Sequence, residues 1–178
     1  DDPPYEGYRE IWLQQFDYHC MSLVGERFAL WSGALKDAGT PEAPHIYKVD
    51  GTYYLLIAEG GTYHHHAITI ARADSITGPY EGNPGNPILT HRHLDPDQHP
   101  ITNPGHGDMV ETAAGEWWMV VLASRPYGGY FYNLGRETFL VPVLWRDGWP
   151  LVSPSSGRVE FEHLMPALPQ HPWPQVPT

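Results

Sequence analysis

An internal repeat constrains this chain more than any other feature of its sequence. Residues 44–56 and 107–119 follow one pattern: a short apolar segment, a turn that contains Gly51 or Gly115, and a pair of aromatic residues that opens a second, more apolar segment. The two turn glycines lie 64 positions apart, which leaves room for two β-hairpins in each unit. Four strands per unit make the blade of a β-propeller, and 178 residues hold about three such blades. A sandwich of unrelated hairpins is the alternative architecture.

The rest of the sequence is also typical of strands. Short segments rich in β-branched and aromatic residues recur between Gly, Pro, Asn and Asp, and no apolar pattern of helical spacing persists for three turns. The predicted strands are residues 11–16, 46–49, 53–58, 67–73, 109–112, 117–123 and 138–145. The sequence therefore predicts an all-β fold in which residues 1–163 form the C-terminal part of a β-propeller. Five prolines between residues 164 and 178 predict an extended tail or linker.

Composition excludes several classes of protein. Ten basic and 21 acidic residues give a net charge of −11 without a Lys/Arg-rich stripe, so we expect no nucleic-acid partner. A membrane-spanning helix needs a run of about 18 apolar residues, and the sequence contains no such run. The single Cys20 excludes a disulfide within these residues and any CxxC motif. Charge and composition leave the oligomeric state open, and they do not choose between a secreted and a cytoplasmic protein.

Glu42 is the first candidate for chemistry. It stands between Pro41 and Ala43-Pro44, just before a predicted strand, so the backbone is stiff there and aims the side chain reproducibly. Glycoside hydrolysis needs one carboxylic acid to donate a proton and a second carboxylate on the other side of the sugar. The alternative interpretation of Glu42 is a solvated surface residue.

Histidines are the second group of candidates. His64-His65-His66 would place its first and third members on one face of a strand, but two ligands rarely hold a metal, and no carboxylate or Cys clearly accompanies them. His106 lies between Gly105 and Gly107 at the entry to an apolar strand, where it can approach the axis on which blades converge. Its residue pattern fits a buried structural histidine as well as it fits a site residue.

Arg136 precedes the predicted strand at residues 138–145, in the segment Gly135-Arg136-Glu137-Thr138. A guanidinium at a strand start lies near the mouth of a propeller, where its donors suit vicinal sugar hydroxyls or a carboxylate. An ordinary surface ion pair with Glu137 or another acid is the alternative.

Taken in order, these motifs resemble glycoside hydrolase family 43, the five-bladed propeller β-xylosidases and α-L-arabinofuranosidases. The similar segments span nearly the whole chain. They are Glu42-Ala43-Pro44-His45-Ile46-Tyr47, residues 53–62, Ala71-Arg72-Ala73, Gly78-Pro79-Tyr80-Glu81, residues 86–90, Gly105-His106-Gly107-Asp108, residues 135–138 and Asp147-Gly148-Trp149-Pro150. The family often has Gly where this chain has Ala43, which is a change between two small residues.

The resemblance implies roles for individual residues. Glu42 would be the general acid, Arg136 would bind substrate hydroxyls, and His106 would lie near the pocket floor and orient a carboxylate or a bound ion. Thr62 would lie near the same pocket. No cofactor is required by this scheme, although a divalent cation such as calcium near His106 stays an alternative.

The resemblance also implies an activity: an inverting exo-glycosidase that releases xylose or arabinose from hemicellulose-derived oligosaccharides. The family's catalytic base, and a second Asp that adjusts the acid, would lie in blades before Asp1, so an isolated chain of these residues would be inactive or nearly so. The Pro-rich end resembles the linker that joins the propeller to a β-sandwich in longer members. A noncatalytic carbohydrate-binding propeller, or an inactive truncated fragment, is the alternative.

Overall fold

A computed structural model describes residues 4–35, 39–129 and 131–169 of the chain. Eleven strands and no helix occur in that part, which confirms the all-β prediction. The strands are β1 (Ile11–Asp17), β2 (Ser22–Trp31), β3 (Glu42–Val49), β4 (Thr52–Glu59), β5 (Ala67–Ala73), β6 (Glu81–Gly82), β7 (Leu89–Thr90), β8 (Thr102–Glu111), β9 (Trp117–Ser124), β10 (Arg136–Arg146) and β11 (Trp149–Val152). Within the described residues no helix is long and apolar enough to cross a membrane.

The strands form three antiparallel sheets in chain order. The hairpin β1–β2 stands first, then a sheet ordered β3-β4-β5-β6 with β7 also paired to β5, then a sheet ordered β8-β9-β10-β11. Consecutive strands are neighbours from β3 to β6 and from β8 to β11, as in propeller blades. The predicted three blades correspond to two four-stranded meanders, the first with the short β7 added beside β5, and a two-stranded hairpin.

Tight Asp-Gly turns close two of the hairpins. Asp50 and Gly51 both have positive φ, 48° and 87°, between β3 and β4. Asp147 and Gly148 repeat this conformation, at 52° and 73°, between β10 and β11. Two consecutive left-handed residues match the right-handed twist of a tight hairpin, and Asp-Gly is a favoured pair for it.

Strand β4 explains how the sheets stack. Successive side chains of a strand point to opposite faces. Tyr54 and Leu56 accordingly lie in the core shared with β8–β11, while Leu55 and Ile57 lie in the core shared with β1–β2. All four are at most 5% exposed, because a sheet lies against each face of β4. This is why the strand appears in the sequence as an unbroken apolar run.

Polar and aromatic contacts link the two larger sheets. The Tyr54 hydroxyl donates to the Gly148 carbonyl at 2.8 Å, and its ring meets Trp145 edge-on with the centroids 4.8 Å apart. The Tyr47 hydroxyl donates to Asp108 Oδ1 at 2.6 Å and accepts from the Met109 N–H at 2.9 Å. The Tyr47 contacts fix the second half of β3 relative to the second half of β8, and the Tyr54 contacts fix β4 relative to β10 and the turn that follows it.

Strand β2 was not predicted from the sequence. Its apolar alternation is interrupted by Gly25, which has a φ of 73°, and by Glu26 and Arg27. The pairing of β1 with β2 shifts register at this place, between Gln14 and Gln15. A bulge of this kind destroys a period-two pattern although the strand continues.

Candidate active site

Glu42 is the first residue of β3 and its side chain is exposed. It pairs with Ala58 of β4, and a register shift follows before the next pair, His45 with Leu56. Ala43, inside this bulge, has a φ of 51°. A bulge bends the strand and redirects the side chains beside it. The segment between Pro41 and Pro44 thus exposes Glu42 at the end of the sheet, and the role of Glu42 as an acid stays a prediction.

The second blade repeats the same bulged strand start. Asn103 and His106 have φ values of 55° and 52°. Thr40 and Ala43 of the first blade lie 63 positions before them, and each has a φ of 51°. Gly105 pairs with Leu122, 64 positions after the Ala58 that pairs with Glu42. Gly105 therefore occupies in β8 the place that Glu42 occupies in β3.

A buried histidine fills the space beside Gly105. His66 is 1% exposed, and a Cβ added at Gly105 would coincide with the tip of its imidazole ring. His66 Nδ1 lies 2.9 Å from the Asn103 carbonyl oxygen. Because a carbonyl only accepts hydrogen bonds, this contact assigns the proton of the neutral ring to Nδ1.

Three of the predicted site residues act electrostatically on His66. Burial is the main cause that lowers the pKa of His66 below its ordinary value. The hydrogen bond to Asn103 and the charge of Glu42 raise this pKa, whereas Arg136 and His106 lower it further. Glu42, Arg136 and His106 come from β3, β10 and β8, so the fold brings together residues that are up to 94 positions apart.

Arg136 begins β10, as expected, and is exposed. It pairs with Ser124, which also pairs with Thr102 at the start of β8, so the starts of β8 and β10 flank the same residue. The alternative of an ion pair with Glu137 is wrong. Arg125 binds Glu137 through two hydrogen bonds of 2.6 and 2.8 Å, and Arg136 forms no salt bridge with any described residue.

His106 is exposed between two buried glycines. A Cβ on Gly107 would lie 2.7 Å from Ile68 Cδ1 and 2.8 Å from Met119 Sδ, so neither flanking position has room for a side chain. Close packing on both sides leaves the His106 side chain directed to solvent. The sequence left open that His106 is a buried structural histidine. In the structure, His66 is buried and His106 is exposed.

Thr62 is half-buried in the turn that follows β4. The Gly60 N–H in this turn donates to the Gly39 carbonyl at 3.3 Å, which brings the turn beside the residues that lead into Glu42. No contact in the structure links the Thr62 hydroxyl to Glu42 or His66, so its role in the pocket stays a prediction.

The histidine triplet does not form the face that its spacing suggested. His64 and His65 are exposed in the turn before β5, while His66 is buried at its end. The described residues contain no group of three or more His, Cys, Asp or Glu side chains placed to hold a metal. A divalent cation near His106 stays a prediction.

Sequence reasoning missed Glu59 as well as His66. Glu59 is 2% exposed at the end of β4, and its carboxylate accepts hydrogen bonds from the Ala34 and Leu35 N–H groups at 2.9 and 3.1 Å and from the Thr69 hydroxyl. Its only sequence signal is an acid that directly ends a buried apolar strand. Glu59 follows Ala58, the partner of Glu42, and therefore supports the same end of the sheet.

The comparison with known proteins decides which family this arrangement represents. The family model described as "Glycosyl hydrolases family 43" matches residues 1–150. The chain belongs to glycosyl hydrolase family 43. Family 43 structures are five-bladed β-propellers, and the two meanders and the hairpin of this chain are part of such a fold.

Similar family 43 proteins include characterised enzymes. A xylosidase/arabinosidase of Butyrivibrio fibrisolvens is 52% identical over 96% of this chain and 32% of its own length. A non-reducing end alpha-L-arabinofuranosidase of Bacteroides ovatus is 47% identical over 78% of this chain and 26% of its own length. The crystal structure of a xylan beta-1,4-xylosidase from Bacillus halodurans superposes with a TM-score of 0.87 at 38% identity, over 99% of this chain and 33% of that one. The chain thus spans about a third of the length of these relatives.

Proposed function

We propose that the complete protein containing this chain is an inverting exo-glycosidase that releases xylose or arabinose from hemicellulose-derived oligosaccharides, with Glu42 as general acid. The observation that carries the proposal is the exposed Glu42 carboxyl on the β3 bulge, together with Arg136 and His106 around His66. Relatives named as xylosidases and arabinosidases support the pentose substrates.

The chemistry assigned to Glu42 is proton donation to the leaving group. The carboxyl proton passes to the glycosidic oxygen as the bond from that oxygen to the anomeric carbon breaks. A water molecule adds to the anomeric carbon from the opposite face and gives its proton to a general base, so the configuration is inverted. We assign that base to no residue of this chain.

Arg136 and His106 supply binding in this scheme. The Arg136 guanidinium has five N–H donors in a planar fork and forms no ion pair with a described residue, so it is available to two neighbouring sugar hydroxyls. His106 is exposed on β8 and can accept or donate one further hydrogen bond. Donors held on rigid strand starts lose little conformational entropy when substrate binds.

The test is the variant Glu42→Gln in the complete protein. It keeps the shape of the side chain but has no proton to donate. We expect hydrolysis of xylobiose, or of an arabinose-substituted xylo-oligosaccharide, to fall by about 10²–10⁴-fold. A 4-nitrophenyl pentoside should lose much less, because nitrophenolate leaves without protonation. Glu81→Gln is the matched control: Glu81 is exposed on β6, three strands away from β3 in the same sheet.

Two outcomes would contradict the proposal. If Glu42→Gln leaves hydrolysis of the unactivated substrate near the level of the Glu81→Gln control, another group is the acid. The unsubstituted protein could also bind the oligosaccharides in calorimetry without releasing a pentose, which is the behaviour of a carbohydrate-binding propeller. Product analysis by NMR within the first minutes then checks inversion, because the released pentose first appears as the opposite anomer.

A further inference from the structure

We propose that His66 is a positioning residue for this reaction: it sets the start of β8, and through it the His106 side chain, against the Glu42 end of β3. The inference rests on the proposed function and adds a residue that touches no substrate.

Hydrogen bonds of its own main-chain groups hold His66 in place. Its N–H donates to the Tyr63 carbonyl at 2.9 Å, and its carbonyl accepts from the Thr90 hydroxyl at 3.0 Å. The side chain is fully enclosed, so the imidazole has one orientation from which to act on its neighbours. A group fixed in this way can impose a geometry on a more strained segment.

The strained segment is the start of β8. Asn103 and His106 are both left-handed, with φ values of 55° and 52°, which is costly for residues other than glycine. Two register shifts with β9 occur here, between Thr102 and Gly105 and between Gly105 and Asp108, so the usual ladder does not hold the segment. Tertiary contacts must therefore hold it instead.

His66 supplies two such contacts. Its Nδ1–H donates to the Asn103 carbonyl at 2.9 Å, and its ring tip lies on the bare backbone of Gly105. Nε2 is buried and has no hydrogen-bond partner among the described residues, which agrees with a ring end that packs against a Cα. The ring thus fixes Asn103 and Gly105, the residues that lead into His106.

The position of His66 explains why this contact bears on the reaction. In β3, the site equivalent to Gly105 carries Glu42. The fold therefore has two copies of one bulged strand start: one carries the acid, and the other carries a glycine whose vacant space admits His66. The contacts of the imidazole lie at Asn103 and Gly105, directly before His106, so a shift of the ring moves the backbone that carries His106.

Three variants of the complete protein test the role of the side chain. His66→Leu fills similar volume but cannot donate to Asn103, whereas His66→Asn places an amide N–H near the Nδ1 position. We expect His66→Leu to lower kcat/KM on xylobiose by roughly 10-fold or more, and His66→Asn to recover most of that loss. In a His106→Ala background, His66→Leu should cost less than about 2-fold further, since its effect passes through His106.

A stability cycle keeps the inference testable if His66→Leu does not fold. Gly105→Ala should lower the Tm of the protein strongly, because the new Cβ meets the His66 ring. In the His66→Asn background the ring tip is absent, and the same Gly105→Ala change should cost clearly less. Additive losses in Tm would show that the ring does not rest on Gly105, and would overturn the inference.

The kinetic outcomes separate the two proposals. If His66→Leu lowers kcat/KM equally with and without the His106 side chain, or not at all, the positioning role is wrong while the glycosidase function stands. If the unsubstituted protein hydrolyses none of the pentosides, the proposed function fails, and the positioning role fails with it.

Discussion

The buried carboxylate of Glu59 offers a sharp test of how this end of the sheet is held. Glu59 Oε2 accepts from the Ala34 N–H at 2.9 Å and from the Thr69 hydroxyl, and Oε1 accepts from the Leu35 N–H at 3.1 Å. The variant Glu59→Gln replaces one of these acceptor oxygens with an NH2 group. Whichever way the amide turns, at least one donor of the protein then faces another donor.

The cost follows from these three hydrogen bonds. The better orientation of Gln keeps its oxygen at the Oε2 position, where two donors meet, and loses the bond from Leu35. An unsatisfied buried donor costs about 1–3 kcal/mol, and the two remaining bonds weaken because their acceptor is no longer a carboxylate. We expect about 2–3 kcal/mol of lost local stability, which is roughly 30–150-fold in the opening equilibrium of the segment.

Native-state hydrogen exchange measures this local opening directly in the complete protein. The peptide that covers residues 32–35 should exchange roughly 30–150-fold faster in Glu59→Gln, as estimated above. Peptides from β9 and β10 should be unchanged. Glu81→Gln is the control, because Glu81 is exposed and makes no side-chain hydrogen bond with a described residue. Unchanged protection at residues 32–35 in Glu59→Gln would refute the view that this carboxylate holds the segment.

Two further predictions concern stability. Burial lowers the pKa of His66 and His91 below the ordinary 6.5, so on acidification the unfolded chain binds protons at a higher pH than the folded chain does. The stability that is present above pH 6.5 should therefore be lost as the pH falls toward the lowered pKa values of the folded protein. Thermal unfolding between pH 7.5 and 5 checks this, and a Tm that rises on acidification would contradict it. Tyr47→Phe removes the acceptor of the buried Met109 N–H and the donor to Asp108, so urea unfolding should show a loss of about 1–3 kcal/mol. An unchanged urea midpoint would mean that water replaces the hydroxyl.

The fold was accessible from the sequence wherever its signal is local. The Asp50-Gly51 turn and the double aromatic after it mark a hairpin within about ten residues, and the second copy around Gly115 reveals the blade. The strands β3 and β10 were predicted for the same reason, but their predicted starts, residues 46 and 138, lie four and two positions after the observed starts at Glu42 and Arg136. The β2 strand escaped because its bulge at Gly25 breaks the alternation on which strand prediction relies.

The partners of the site residues were not accessible in this way. Glu137 follows Arg136 in the sequence, yet its carboxylate binds Arg125, which directly follows the neighbouring strand β9, and this leaves Arg136 free for another ligand. Successive residues of a strand point to opposite faces, so sequence neighbours are poor candidates for an ion pair. The cross-strand partner follows from register, and register across strands depends on turns and bulges.

The sequence by itself determined that this chain folds into repeated four-stranded units. It also determined that an acid lies near the start of one unit and a glycine-flanked histidine near the start of the next. Short-range sterics and side-chain alternation encode those facts within a few residues. Only the tertiary structure decided that His66 is buried, and not His64 or His65, because its partner Asn103 is 37 residues away. That contact depends on how the turn before β5 packs against the start of β8, and no local pattern records it.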